Sequence, residues 1–232
     1  MSGMHTATMA TPARTRRTMI LKRTLDVTLS ALSLPLLLPA MILIAIAIKL
    51  DSPGPVFFRQ VRVGRGGRPF RIFKFRSMVV DAPRTGTALT VKADPRITRA
   101  GRFLRQTKLD EMPQIFNILV GDMSIVGPRP EVPEFMKFYS PEQRSIILSM
   151  RPGMTDYAAL LFRNESALLD QSRDPVEFYR TNIMPTKFRC YERYSHDLGM
   201  LTDLRIMLAT MLLLVAGREP RWLPTDWEAI RA

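Results

Sequence analysis

The sequence predicts an α/β, mostly helical protein seated on one face of a membrane, with a re-entrant N-terminal helix hairpin, a small β-hairpin and interfacial amphipathic helices. Three observations carry that expectation. Residues 27–48 contain no charge, and a run of about 22 such residues is long enough to cross a bilayer as a helix. Both flanks of the run are basic, which the positive-inside tendency reads as two cytoplasmic ends. Pro35 and Pro39 lie near its middle, where each deletes a helical hydrogen bond and clashes with the preceding turn, so the helix can bend back to the face it entered.

Taken in order, residues 1–19 are small and polar and carry Arg14, Arg16 and Arg17, a composition that favours a basic arm without fixed structure. Residues 20–50 are the re-entrant helix, with Lys22 and Arg23 ahead of the uncharged run, Lys49 behind it, and Arg59, Arg62, Arg65 and Arg68 beyond. Ser30 and Ser33 are near enough to partner carbonyls freed by the prolines. A cleaved leader fits poorly, because its apolar core is usually only about 7–15 residues long. The Asp-Ser-Pro-Gly-Pro cluster at 51–55 ends the segment.

Residues 56–63 and 70–78 are strand-like and joined by a glycine- and arginine-rich turn at 64–69, the pattern of a β-hairpin. The turn glycines match neither a dinucleotide fingerprint nor a P-loop. Alternation puts Ile72, Lys74 and Arg76 on one face and Phe73 and Phe75 on the other, so the cations are expected on an exposed surface while the rings pack. Residues 81–94, rich in Pro, Gly and Thr, read as a mobile loop. Further on, Ser140-Pro141-Glu142 opens a helix to about Met150, and 151–153 ends it. Residues 198–215 form a last helix closed by Gly217, interfacial or core.

The stretch 107–129, TKLDEMPQIFNILVGDMSIVGPR, gathers the adjacent carboxylates Asp110 and Glu111 and a proline-flanked Arg129. Pro113 lacks an N–H, so a helix here is expected to begin near 110–112, hold the proline in its first turn, run to about Leu119 and stop at Gly121. Acids at a helix start also have a plain structural role, complementing the dipole and capping amides. The surrounding cations point further. Arg96, Arg99, Arg102, Arg105 and Lys108 recur every third residue upstream, spread over one face leading to the pair, and Pro128 and Pro130 hold Arg129 on a stiff extended segment. Carboxylates ringed by fixed cations suit phosphate chemistry: one can attack phosphorus to give an acyl phosphate while a second holds a divalent cation.

Four blocks, FKFRSM (73–78), DPRITRAGRFLRQTKLDEMPQIFNIL (94–119), GDMSIVGPRPE (121–131) and RPGMT (151–155), resemble the bacterial sugar transferases called monotopic phosphoglycosyl transferases. The similarity covers roughly residues 20–216. It implies transfer of a sugar phosphate from a UDP-sugar to polyprenyl (undecaprenyl) phosphate, with release of UMP, through a covalent phosphosugar on the first acid of the pair. By that resemblance Asp110 is the nucleophile, Glu111 the Mg2+ ligand, and Lys74, Arg105 and Arg129 the phosphate-contacting cations. It also implies a helix broken at a Ser-Pro pair; Pro39 matches by position, with Leu38 in place of the serine. Lys108 and Met112 replace the commoner Ser and Leu, changes expected to alter surroundings and not chemistry. Asp156 stands where the family more commonly has Gly, and the divergent 156–165 is expected to tune the substrate.

With 232 residues, no Gly/Ser linker and no internal repeat, the expectation is one domain: the arm 1–19, the re-entrant helix 20–50, and a cytoplasmic catalytic region 51–232 packed on the membrane as one unit with that helix. A net charge of +13 calls for anionic partners. These are expected to be a UDP-sugar, polyprenyl phosphate and anionic membrane lipids, with a homodimer left open and the first lipid-linked step of an exopolysaccharide, O-antigen or glycoprotein glycan as the role. Nucleic acid satisfies the charge, but the long apolar run and the lack of a reading module oppose it; a non-catalytic membrane scaffold is the other alternative. The expected location is the cytoplasmic face of a bacterial inner membrane, both termini inside. A single cysteine, Cys190, excludes an internal disulfide framework, and His5 and His196 are too far apart in sequence to suggest a histidine metal site.

Overall fold

The computed structural model describes residues 16–82, 89–91 and 94–217. Of the arm expected at 1–19, residues 1–15 lie outside the described residues, as do 83–88 and 92–93 of the loop expected at 81–94.

The uncharged run belongs to one helix, α1 (Arg16–Asp51), with Pro35 and Pro39 inside it. Helical backbone continues through both prolines, joining the two legs expected from the sequence. Each proline removes a single donor, and Ser33 Oγ donates to the Ser30 carbonyl at 3.2 Å just ahead of Pro35. The two ends of α1 still pack on the same unit. On the first, Lys22, Asp26 and Ser30 are buried; on the last, Met41 and Ile48 are. No side chain from 31 to 40 is buried, and Leu36 is 80% exposed.

β1 (Phe57–Val63) and β2 (Pro69–Phe75) form the expected antiparallel hairpin, Phe57 opposite Phe75 and Val63 opposite Pro69. Gly66 and Gly67 take φ of 68° and 77° in its turn, values that favour glycine. The second strand stops at Phe75, and Met78 instead bridges Ile97. Phe73 and Phe75 pack as expected, Phe75 stacking on Phe57 and Phe73 meeting Phe116 edge-on. The cations on the other face are not on an exposed surface. Arg76 is 5% exposed and donates to the Ser52 and Pro53 carbonyls, so its charge satisfies the turn that follows α1.

α2 (Arg99–Thr107) starts at a Thr98 cap, whose hydroxyl accepts from Gly101 N–H at 3.0 Å, and ends at Lys108 in the left-handed conformation. α3 (Gln114–Val120) ends at Gly121, also left-handed, as the glycine predicts. Asn117 in its middle is fully buried: its Oδ1 accepts from Phe73 N–H and its Nδ2 donates to the Arg71 carbonyl, fastening α3 along the free edge of β2.

Two short parallel strands follow, β3 (Ser124–Val126) and, after α4 (Pro133–Met136) and α5 (Pro141–Leu148), β4 (Gly153–Thr155). α5 opens with the expected Ser140 cap, completed by Gln143 as a capping box. Gly127 and Gly153 lie so close that a Cβ on Gly153 would sit 2.1 Å from Gly127 N, which keeps side chains out of this crossing. α6 (Tyr157–Leu161), α7 (Glu165–Asp170), α8 (Pro175–Phe178), a π turn at Tyr179–Ile183, α9 (Met184–Asp197) and α10 (Met200–Ala216) enclose the main core around Tyr191, Tyr194, Ile183 and Ile206. α10 has a core face and an exposed apolar face. Ile206, Ala209 and Leu213 face the core, while Leu201, Leu208, Met211 and Val215 are exposed.

Lys22 is not a free flanking charge. It donates to Asp203 of α10 at 2.6 Å and to the Val126 carbonyl at 2.8 Å, and Tyr194 O–H also donates to Asp203. Arg23 donates to the Ile118 and Leu119 carbonyls that end α3, and Asp26 accepts from Ile125 N–H. The first leg of α1 is therefore built into the domain by polar groups.

Candidate active site

The carboxylate pair sits in a 3-10 turn, Leu109–Glu111, between α2 and α3. The left-handed Lys108 turns the chain sharply out of α2, and residues 109–111 wind too tightly to open an α-helix, Met112 N–H reaching back to the Leu109 carbonyl at 3.2 Å. Pro113 then caps α3 from just outside it. The helix thus starts a few residues later than the sequence suggests. The pair is not exposed: Asp110 is only 7% exposed and Glu111 is held on both oxygens.

Glu111 is where separate elements converge. Lys74 of β2 donates to its Oε1 at 2.8 Å, while Arg129, on the extended segment after β3, donates to Oε2 at 3.1 Å and also to Oε1. Burial alone would raise this carboxyl, but Arg129 and Lys74 override it and hold it well below the usual range. Glu111 in turn raises Arg129 well above its ordinary value. Burial lowers Lys74, with Glu111 opposing.

Asp110 is electrostatically different. Burial pushes its carboxyl up, Lys74 pulls it down, Glu111 pushes it up again, and Arg105 and Lys108 pull it down. Among the described residues no group donates a hydrogen bond to it. Adjacent acids thus occupy distinct states, one locked between two cations and one buried with its oxygens uncommitted.

Of the upstream cations only Arg105 and Lys108 act on Asp110. Arg105 is half-buried, donates to Ser77 Oγ at 3.4 Å, and has its pKa lowered by burial. Arg96 is diverted to Asp94 at 2.6 Å, and Arg99 and Arg102 are exposed. The single face expected of these five is therefore divided. Pro35 and Pro39 stand apart, in the exposed middle of α1.

Sequence reasoning missed the groups that hold Arg129. Its own N–H donates to Asp156 at 3.0 Å, Arg62 donates to the Pro130 carbonyl at 3.0 Å, and Glu131 accepts from Tyr179 O–H at 2.9 Å. Lys187, fully buried, donates to Tyr179 Oη and pairs with Glu165 at 2.6 Å. The only sequence signal was the departure at Asp156 from a commoner glycine. Cys190 is buried and its thiol is pushed up to about 12 by that burial, so it is inert at neutral pH.

Residues 17–217 match the family model described as bacterial sugar transferase. A UDP-N-acetylgalactosamine-undecaprenyl-phosphate N-acetylgalactosaminephosphotransferase from Aeromonas hydrophila is 41% identical over 204 residues, 85% of this chain and 44% of the relative. UDP-glucose:undecaprenyl-phosphate glucose-1-phosphate transferases are 45% identical over 192 residues in Caulobacter vibrioides, covering 82% of this chain and 68% of the relative, and 43% identical over 162 residues in Escherichia coli (strain K12), covering 68% and 35%. This chain thus spans less than half of the Aeromonas and Escherichia relatives and about two thirds of the Caulobacter one. With a family match that takes in α1, the carboxylate pair, Arg129 and α10 together, the chain belongs to the bacterial sugar transferase family of enzymes.

Proposed function

We propose that the chain transfers a sugar-1-phosphate from a UDP-sugar to undecaprenyl phosphate and so begins a lipid-linked glycan. The observation that carries it is the contrast between the two acids, Asp110 uncommitted and Glu111 locked by Lys74 and Arg129. The Asp110 carboxylate attacks the sugar-bearing phosphorus, a P–O bond forms, the bond from that phosphorus to the bridging oxygen breaks, and UMP departs with that oxygen and the electron pair. An oxygen of the lipid phosphate then attacks the same phosphorus and expels the Asp110 carboxylate. Arg129, 36% exposed at its side chain, has its outer edge open to a phosphate, and Arg105 and Lys74 add charge at the Asp110 side.

Among the described residues no three potential ligands gather as a closed metal cage. Two adjacent hard oxygen donors nevertheless suit Mg2+, which takes one or two carboxylates and completes its shell with substrate phosphate and water. Glu111 is the proposed ligand, and the ion would supply neutralising charge to the phosphoryl oxygens.

The proposed setting is the inner leaflet, α1 entering and leaving by one face and both termini cytoplasmic. α1 is long and apolar enough to cross a membrane. Support for re-entry comes from its two ends packing on one unit while no side chain from 31 to 40 is buried, and the exposed apolar side chains of α10 offer a second contact with lipid. The direct test is UMP release from a panel of UDP-sugars with undecaprenyl phosphate in micelles. Release dependent on the lipid phosphate is expected; none with any sugar, from folded protein, would leave the scaffold alternative standing.

A further inference from the structure

We infer that Asp156 is a positioning residue for Arg129. The inference rests on the proposed reaction only in its kinetic consequence. Its basis is the backbone of the Pro128-Arg129-Pro130 segment. Prolines have no N–H, so the Arg129 N–H is the single main-chain donor the segment owns. The main chain leading into it has backbone partners on β4: Gly127 N–H donates to the Thr155 carbonyl at 3.0 Å, and the Pro128 carbonyl accepts from Gly153 N–H, at the start of that strand, at 2.9 Å. At the next step the backbone partner is replaced by a side chain. Asp156 is 1% exposed; its Oδ2 accepts from Arg129 N–H at 3.0 Å, while its Oδ1 accepts from Ala159 N–H at 2.5 Å and caps α6. One carboxylate therefore joins the start of α6 to the main chain that aims the Arg129 guanidinium at Glu111. A glycine at 156, the commoner residue in the resemblance, has no such oxygens.

The consequence is separable from simple stability. Glycine offers no acceptor and asparagine one oxygen for two N–H donors, so both substitutions break the bridge between the Arg129 and Ala159 amides while the Arg129 charge stays. A small displacement of a transition-state contact costs rate more than ground-state binding. Asp156→Asn and Asp156→Gly are each expected to lower kcat for UMP release about tenfold with a smaller change in KM. In an Arg129→Lys background, where the forked contact is already gone, they should cost less than about twofold, since residues acting through one another are not additive. Equal losses in both backgrounds would overturn the inference. Amide hydrogen exchange supplies a readout that needs no turnover: the Arg129 N–H should be protected in the wild type and exchange much faster in Asp156→Gly, and an unchanged rate would equally overturn it. Absence of UMP release from the wild type, with a protected Arg129 amide, would count against the proposed reaction and leave the positioning role intact.

Discussion

At Asp110, substitution by Asn removes one charge and keeps the shape, but an amide cannot form the acyl phosphate. Asp110→Asn is expected to abolish UMP release and trapping of a covalent phosphosugar together, with the protein still folded. Release at near wild-type rate would show that the nucleophile lies elsewhere. Glu111→Gln should raise the Mg2+ concentration needed for half-maximal rate, because an amide oxygen is the weaker ligand for a hard cation; an unmoved titration would remove Glu111 from the metal site. Asp156 carries the pH dependence that can be assigned a sign. Burial raises its carboxyl to about 6 in the folded state, above its ordinary 3.8. A raised acid stabilises the fold at low pH and loses that contribution as pH climbs through about 6. Between pH 5 and 7.5 the wild type should therefore lose on the order of 1 kcal/mol relative to Asp156→Asn, read as converging thermal midpoints. Residue identities were the most legible part of the sequence, since Asp110, Glu111, Lys74 and Arg129 do converge. Their partners were not. Asp156 reaches Arg129 only because two short strands lie side by side, and single-sequence periodicity does not report a parallel pairing.

Elements were legible where turn and cap chemistry is local. The glycine-rich hairpin, the Ser140 box and the Gly121 stop all stand where their residues put them. Strand alternation was right about which side chains share a face and wrong about which face is exposed, because Asn117 brings α3 against the edge of β2 and turns Lys74 into an interior. The same lesson applies to the first leg of α1, whose charges looked like surface determinants of topology. Lys22 pairs with Asp203 where both are nearly buried, and removing one member of such a pair costs about 3–5 kcal/mol. Lys22→Met should approach that loss at pH 8. The Asp203 carboxyl is already raised by burial, so without Lys22 it takes up a proton more readily and the penalty should shrink toward pH 5. Chemical denaturation at the two pH values measures the difference; a penalty independent of pH would mean that Asp203 stays ionised through another partner.

For the whole molecule, the decisive question is how α1 meets the bilayer. Its basic flanks oppose translocation, and each interior proline weakens the helix locally by one hydrogen bond, roughly 0.5–1.5 kcal/mol net and more in lipid. Replacing both prolines with Leu should yield a stiffer helix of spanning length and send the N-terminal flank outward. Cysteines placed at residues 5 and 225 would be expected to resist an impermeant reagent in intact cells carrying the wild type, with position 5 labelled only in the double variant. External labelling of wild-type position 5 would defeat the re-entrant arrangement. The sequence made the long apolar segment and the carboxylate site visible separately; their junction was hidden, because it is made by long-range polar contacts such as Lys22 with the Val126 carbonyl.

Lys22 and Asp203 are 181 residues apart in the chain. A ribosome adding about 5–20 residues per second needs roughly 10–40 s to cover that distance. For much of this interval α1 is outside the exit tunnel while the carboxylate that will neutralise its first leg has yet to be translated. An unpaired ammonium is costly in hydrocarbon, so in the proposed membrane setting the waiting leg would stay among headgroups and water while residues 27–48 alone sink. On the proposed membrane setting insertion would thereby precede folding, and the completion of α10 would be the event that draws the segment onto its domain.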